Sequence, residues 1–166
     1  ADRGGKVVIL EKTARLGNKL RISGKGRCNV TNAGAIEDFL ANFGPSGKFL
    51  YNAFSRFFNC DLIEFFEARG VPMVTERGGR VFPASGDADE IADCLAAELK
   101  KTGVAVKYGV PVRRIAVKEN RIGGVVSGAG EILAADRVIV ATGGMSYPQT
   151  GSTGDGFRWA AALGHR

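Results

Sequence analysis

An apolar run, Lys6 to Leu10, stops at Glu11 and passes directly into a loop of glycines and cations. No other junction in the chain limits the fold as strongly. The loop carries Gly17, Gly24 and Gly26 among Lys19, Arg21, Lys25 and Arg27. At the carboxyl end of a strand in a parallel α/β sheet, an acid is placed to accept hydrogen bonds from a ribose, and nearby glycines and cations suit a pyrophosphate. The junction predicts the second strand of a dinucleotide site. The competing reading is a strand that ends in a solvated glutamate beside a basic surface loop, since open sheets host many functions.

Four stretches bear on that choice: Ile9-Leu10-Glu11-Lys12, the run from Ser23 through Gly24, Gly26, Arg27, Cys28 and Asn29 to Asn32, Gly79 to Pro83, and Ala141-Thr142-Gly143-Gly144 through Thr150 to Gly156. In order and over nearly the whole chain, they resemble a bacterial family of NAD(P)/FAD-dependent oxidoreductases. That family includes aminoacetone-oxidase-like and bile-acid-reducing flavoproteins and is more distantly similar to fumarate reductase flavoproteins. The Ser23 to Asn32 run is the specific part; the Thr-Gly-Gly and Thr-Gly-Asp-Gly pieces occur in many flavoproteins. The resemblance implies an α/β fold: a partial FAD-binding Rossmann-like domain over residues 1–166, with a parallel sheet and a small antiparallel β-meander at about 112–135. It implies FAD as cofactor, with NAD(P)H or oxygen as the second redox partner. The implied cofactor-binding residues are Glu11, Lys12, Gly17, Lys19, Ser23, Gly24, Gly26, Arg27, Cys28, Asn29, Val112, Thr142, Gly143, Gly144, Gly154 and Asp155, with the backbone at Val112 facing the adenine.

Composition supports a loop-rich ligand site. The 166 residues suffice for one ordinary domain, and 24 glycines are roughly twice average usage, as expected where backbone must approach a ligand closely. The net charge of +6 is spread along the chain without stacking aromatics in an RNA-binding pattern, which favours an anionic small ligand over nucleic acid. Three widely spaced cysteines, Cys28, Cys60 and Cys94, suggest neither a disulfide framework nor a zinc site and fit a reducing cytoplasm. No apolar segment is long enough to span a bilayer, and Ala1 to Gly5 lacks a signal-peptide pattern.

Along the chain, Phe49, Ala53, Phe54, Phe57 and Phe58, and then Leu62, Phe65 and Phe66, recur near helical spacing and predict two short helices packed through their aromatic faces. Val71 to Val74 and Arg80 to Phe82 predict a hairpin beside the main sheet. Asp87 to Glu90 has the form of a capping box opening a helix that stops at Gly103. Val104 to Tyr108 is expected as a buried strand, followed by Val112 to Val117, Ile122 to Ser127 and Glu131 to Ala134 as the meander. Arg137 to Ala141 is expected to return to the parallel sheet. The helix after Gly156 has either amides free for an anion or Asp155 as its N-cap.

The pattern names no catalytic acid, base or nucleophile. His165, the one histidine, is expected as an exposed terminal residue, which argues against a Ser-His-Asp hydrolase. The pairs Glu64/Glu67 and Asp87/Asp89 have the spacing of solvated helix faces and caps. Ala1 to Gly5 has the character of the last turn of a helix, without the Gly-x-Gly-x-x-Gly turn that opens such folds. Residues 1–166 are therefore expected to be an internal piece of a longer flavoprotein, binding FAD weakly by themselves. Two function classes follow: an FAD-dependent oxidoreductase acting on a small organic substrate, and a non-catalytic α/β module that binds a nucleotide or a protein.

Overall fold

The computed structural model describes residues 4–165. Along the chain run β1 (Val8–Glu11), α1 (Asn18–Ile22), β2 (Thr31–Asn32), α2 (Ile36–Asn42), α3 (Tyr51–Phe54), α4 (Asn59–Glu67), β3 (Met73–Thr75), β4 (Arg80–Pro83) and α5 (Ala88–Lys101). They are followed by β5 (Ala105–Tyr108), β6 (Val112–Lys118), β7 (Arg121–Ser127), β8 (Ile132–Ala134) and α6 (Asp155–Ala162). The chain divides into two compact units, one made of the residues up to Lys19 together with those from Leu99 onward, the other of Leu20–Glu98.

In the first unit β1 pairs in parallel with β5, and Glu11 lies opposite Tyr108 at the carboxyl end. The two strands are far apart in sequence, as parallel pairing requires, because a tight turn cannot join parallel neighbours. The meander forms a separate antiparallel sheet in the order β6-β7-β8. Its first turn places Glu119 and Asn120 at φ 51° and 59°, the left-handed pair that matches the twist of a two-residue hairpin. Val125, Val126 and Ser127 bury the middle strand, and Trp159 of α6 donates its indole N–H to the Arg113 carbonyl at 3.0 Å, which fixes α6 against β6.

The second unit holds its own antiparallel sheet in the order β2-β4-β3 and a core of Cys28, Phe66, Val71, Ala88 and Ile91. Helix α5 supplies Ile91 and Ala92 to the buried side. It carries Asp89 and Glu90 in its first turn and Lys100 and Lys101 in its last, the arrangement that complements the helix dipole.

Several expectations change. Arg137 to Ala141 is not a strand: an apolar run becomes one only where a neighbour pairs with its amides and carbonyls, and Ile139 is 92% exposed. β5 is largely exposed rather than buried, since β1 is its one strand neighbour among the described residues. The aromatic stripe splits: Phe39, Phe54 and Phe58 stack edge to face or tilted, while Phe49 and Phe57 are exposed, because residues 44–50 form a 3₁₀ turn that shifts the phase of the side chains. The expected hairpin gains a third strand, β2. Asp87 caps the Asp89 amide at 2.8 Å, but Glu90 takes the Ser85 hydroxyl instead of closing a capping box. Of residues 1–5, expected as a helix end, 1–3 lie outside the described residues, and Gly4 and Gly5 are not helical.

Candidate functional site

In the first unit the candidate residues gather around the loop after β1. Glu11 is half-buried, and its Oε1 accepts from the Thr13 amide at 2.7 Å and the Thr13 hydroxyl at 2.8 Å. Asn18 in turn donates to the Thr13 hydroxyl at 3.0 Å. The carboxylate is thus oriented by a residue two positions on, and Oε2 makes no hydrogen bond among the described residues. Val110 donates its amide to the Glu11 carbonyl at 3.0 Å, so the start of the meander, with Val112 opening β6, is tethered to the end of β1. Gly17 sits at φ 74° just before α1, and Lys19 donates to the Ser146 carbonyl at 3.2 Å while lying over the Tyr147 ring.

Lys12 reaches the loop before α6, 2.7 Å from the Thr153 hydroxyl and 2.8 Å from Asp155 Oδ2. Asp155 opens α6 but is not its N-cap; Gly154 is, at φ 74° and with no side-chain cap bond. Burial of Asp155 pushes its carboxyl up, yet the hydrogen bonds from Lys12 and Thr153 and the charges of Lys12 and Arg158 outweigh this and hold it below the ordinary aspartate range. Nearby, Gly143 adopts φ 70°, and a β-carbon there would lie 2.7 Å from the Ser152 hydroxyl. Its glycine is required by the fold itself. Gly144 is different: its φ is not left-handed, and a β-carbon would only touch Phe157 at 3.9 Å. The Thr142 hydroxyl is buried without a partner, beside an apolar groove of about 470 Å³ lined by Val140, Thr142, Gly143, Gly156 and Phe157.

The second unit holds Ser23, Gly24, Gly26, Arg27, Cys28 and Asn29, assembled on β4. Gly24, Lys25, Gly26 and Cys28 all have positive φ, and the turn closes through Cys28 N to Ser23 O at 3.0 Å and Arg27 N to Gly24 O at 3.3 Å. A β-carbon on Gly24 would lie 2.8 Å from the Asn29 amide nitrogen. Ser23 donates to the Leu20 carbonyl. Cys28 is 1% exposed and belongs to the core, so it anchors the loop. Asn29, with its carboxamide oriented to satisfy its neighbours, donates to the Thr31 and Val81 carbonyls. Arg27 makes a two-pronged contact with Glu76 and stacks on Phe82 at 4.3 Å; the Arg27 hydrogen bond holds Glu76 below the usual carboxylate range.

Two of the sequence stretches, Ser23 to Asn32 and Gly79 to Pro83, therefore meet as the β2–β4 pair, Thr31 opposite Val81. Sequence reasoning missed Thr13, Glu76, Thr153 and Arg158, the partners of the named residues. Thr13, two positions after Glu11, and Thr153 and Arg158, two before and three after Asp155, carried local signals, those of hydroxyls closing a turn onto a carboxylate and of an i, i+3 ion pair; Glu76 carried none.

A parallel strand that ends at an acid, a helical return and an antiparallel meander define a Rossmann-type α/β domain. The chain belongs to the HI0933-like protein Rossmann domain family, whose model matches residues 1–166. It is 34% identical over 165 residues to the 3-dehydro-bile acid delta(4,6)-reductase of Clostridium scindens, covering 99% of this chain and 39% of that protein. It is 27% identical over 161 residues to the ribosomal RNA dihydrouridine synthase of Escherichia coli, covering 97% of this chain and 39% of that protein. A 68-residue stretch is 41% identical to the D-amino acid dehydrogenase of Methylobacterium nodulans, covering 40% of this chain and 16% of that protein. The chain thus spans about two-fifths of the length of the first two relatives. Among the described residues no helix is long and apolar enough to cross a membrane, and no group of three or more His, Cys, Asp or Glu could hold a metal ion.

Proposed function

We propose that this chain is the adenosine-binding part of an FAD-dependent oxidoreductase. The observation that carries the reading is Glu11 at the carboxyl end of a parallel strand, with Oε1 held by Thr13 and Oε2 open to a ribose hydroxyl. The residues fit the group: Gly144 leaves room for close approach, and the unpartnered Thr142 hydroxyl can receive or give a hydrogen bond. Glu11 would take the ribose, and the backbone of Thr142 to Gly144 would lie against the cofactor. When bound, a flavin supplies hydride and electron transfer, and the protein contributes orientation and electrostatics.

For the substrate we infer a carbon–carbon double bond conjugated to a carbonyl. A 3-dehydro bile acid with delta(4,6) unsaturation and the uridine that becomes dihydrouridine share that bond, and those two names belong to relatives covering nearly all of this chain. Reduction adds a hydride to one carbon and a proton to the other, with reduced nicotinamide as the class of reductant. A small-molecule enone is the first reading. RNA is the second, favoured by the rRNA-named relative.

The test uses the full-length protein. A yellow preparation with the absorbance of oxidised flavin, and NAD(P)H consumption driven by an enone, support the first reading. Turnover only with rRNA selects the second. A protein that stays colourless after FAD is added fits a non-catalytic nucleotide- or protein-binding module instead.

A further inference from the structure

Building on the flavin-site reading of Glu11, we propose that Lys12 and Asp155 form a clasp that holds the β1 loop in its ribose-binding shape. Asp155 is then a positioning residue that does not touch the cofactor. Two independent observations carry this. The first is polar: Lys12 Nζ is bonded to Asp155 Oδ2 and to the Thr153 hydroxyl across more than 140 positions of sequence, Asp155 Oδ1 is taken by Arg158, and Arg158 also grips the Thr153 carbonyl at 2.9 Å. Both carboxylate oxygens are occupied, and the side chain is 13% exposed. A carboxylate so engaged has little capacity left for a ligand. The second is steric: a β-carbon on Gly151 would lie 3.3 Å from both Lys12 Cε and Thr13 Cγ2, so the backbone before α6 is seated directly against the residues that follow Glu11.

The clasp has a consequence for Glu11. Lys12 is its immediate neighbour, and an unpaired ammonium there would compete with the ribose hydroxyls for the open carboxylate oxygen. Asp155 draws that charge away, while Thr13, held in the same loop, aims the carboxylate. The loop therefore presents an acid free of its own cation.

The experiment measures FAD affinity by fluorescence titration of the full-length apoprotein for Lys12→Met, Asp155→Asn, the double variant, the swap Lys12→Asp with Asp155→Lys, and Glu11→Ala. Each single clasp variant is expected to weaken FAD about five- to thirtyfold. The double variant should be no worse than the poorer single, and the swap should recover part of the loss, which general destabilisation would not produce. Should Asp155→Asn fail to fold, Lys12→Met and the swap carry the measurement. A loss with Asp155→Asn but none with Lys12→Met, or two losses that multiply, would mean that Asp155 acts on the cofactor by itself and would overturn the clasp. No loss in any clasp variant while Glu11→Ala weakens FAD also overturns it, with the flavin site intact. If Glu11→Ala is silent too, the flavin-site reading fails with it.

Discussion

Replacing Gly144 by alanine separates what the fold needs from what a cofactor needs. Its φ is not left-handed, and the added methyl would meet only Phe157 at 3.9 Å, an ordinary contact. A glycine in a compatible conformation gains about 0.4–1 kcal/mol on becoming alanine, through the unfolded chain. The apoprotein should therefore keep or slightly raise its stability. If the Thr142 to Gly144 backbone lies against FAD, the same methyl intrudes on a packed contact at a cost of about 1–3 kcal/mol, roughly five- to a hundred-and-fifty-fold in affinity. Gly143 cannot serve: an alanine there sits at φ 70° and 2.7 Å from the Ser152 hydroxyl, and about 1–2 kcal/mol of left-handed strain would mix stability with binding. The assay pairs urea unfolding of the full-length apoprotein with FAD titration. Unchanged stability together with unchanged FAD affinity refutes the placement of this turn at the cofactor.

Two further outcomes are expected. Asp155 has a folded pKa below its ordinary value, so its contribution is fully present above the unfolded aspartate range of about pH 4 and is lost as pH falls through the lowered folded value; Asp155→Asn should flatten that acid limb in a pH series of unfolding midpoints, and an unchanged limb would contradict the pairing with Lys12. In native thiol labelling read by mass spectrometry, exposed Cys60 should react first, Cys94 slowly because burial pushes its thiol up, and Cys28 only on unfolding; early labelling of Cys28 would show that the Ser23 to Asn29 turn is not anchored in the core.

The sequence by itself determined the local elements whose signals are short-range. The end of β1 at Glu11, the stop of α5 at Gly103, the turn at Glu119 and Asn120 and the meander strands follow from alternation, glycine and turn chemistry within a few residues. The family was legible as well, because Ser23 to Asn32 is a run of types and spacings that few folds require. Tertiary structure alone decided the partners. Nothing local in Lys12 points to Asp155, nothing in Arg27 points to Glu76 or Phe82, and Cys28 gives no sign that it lies in a core with Phe66 and Ile91. It also decided that the apolar run at Arg137 to Ala141 is no strand. Ladder pairing, ion pairing and burial are relations between distant segments, and they are formed only when the chain closes its loops.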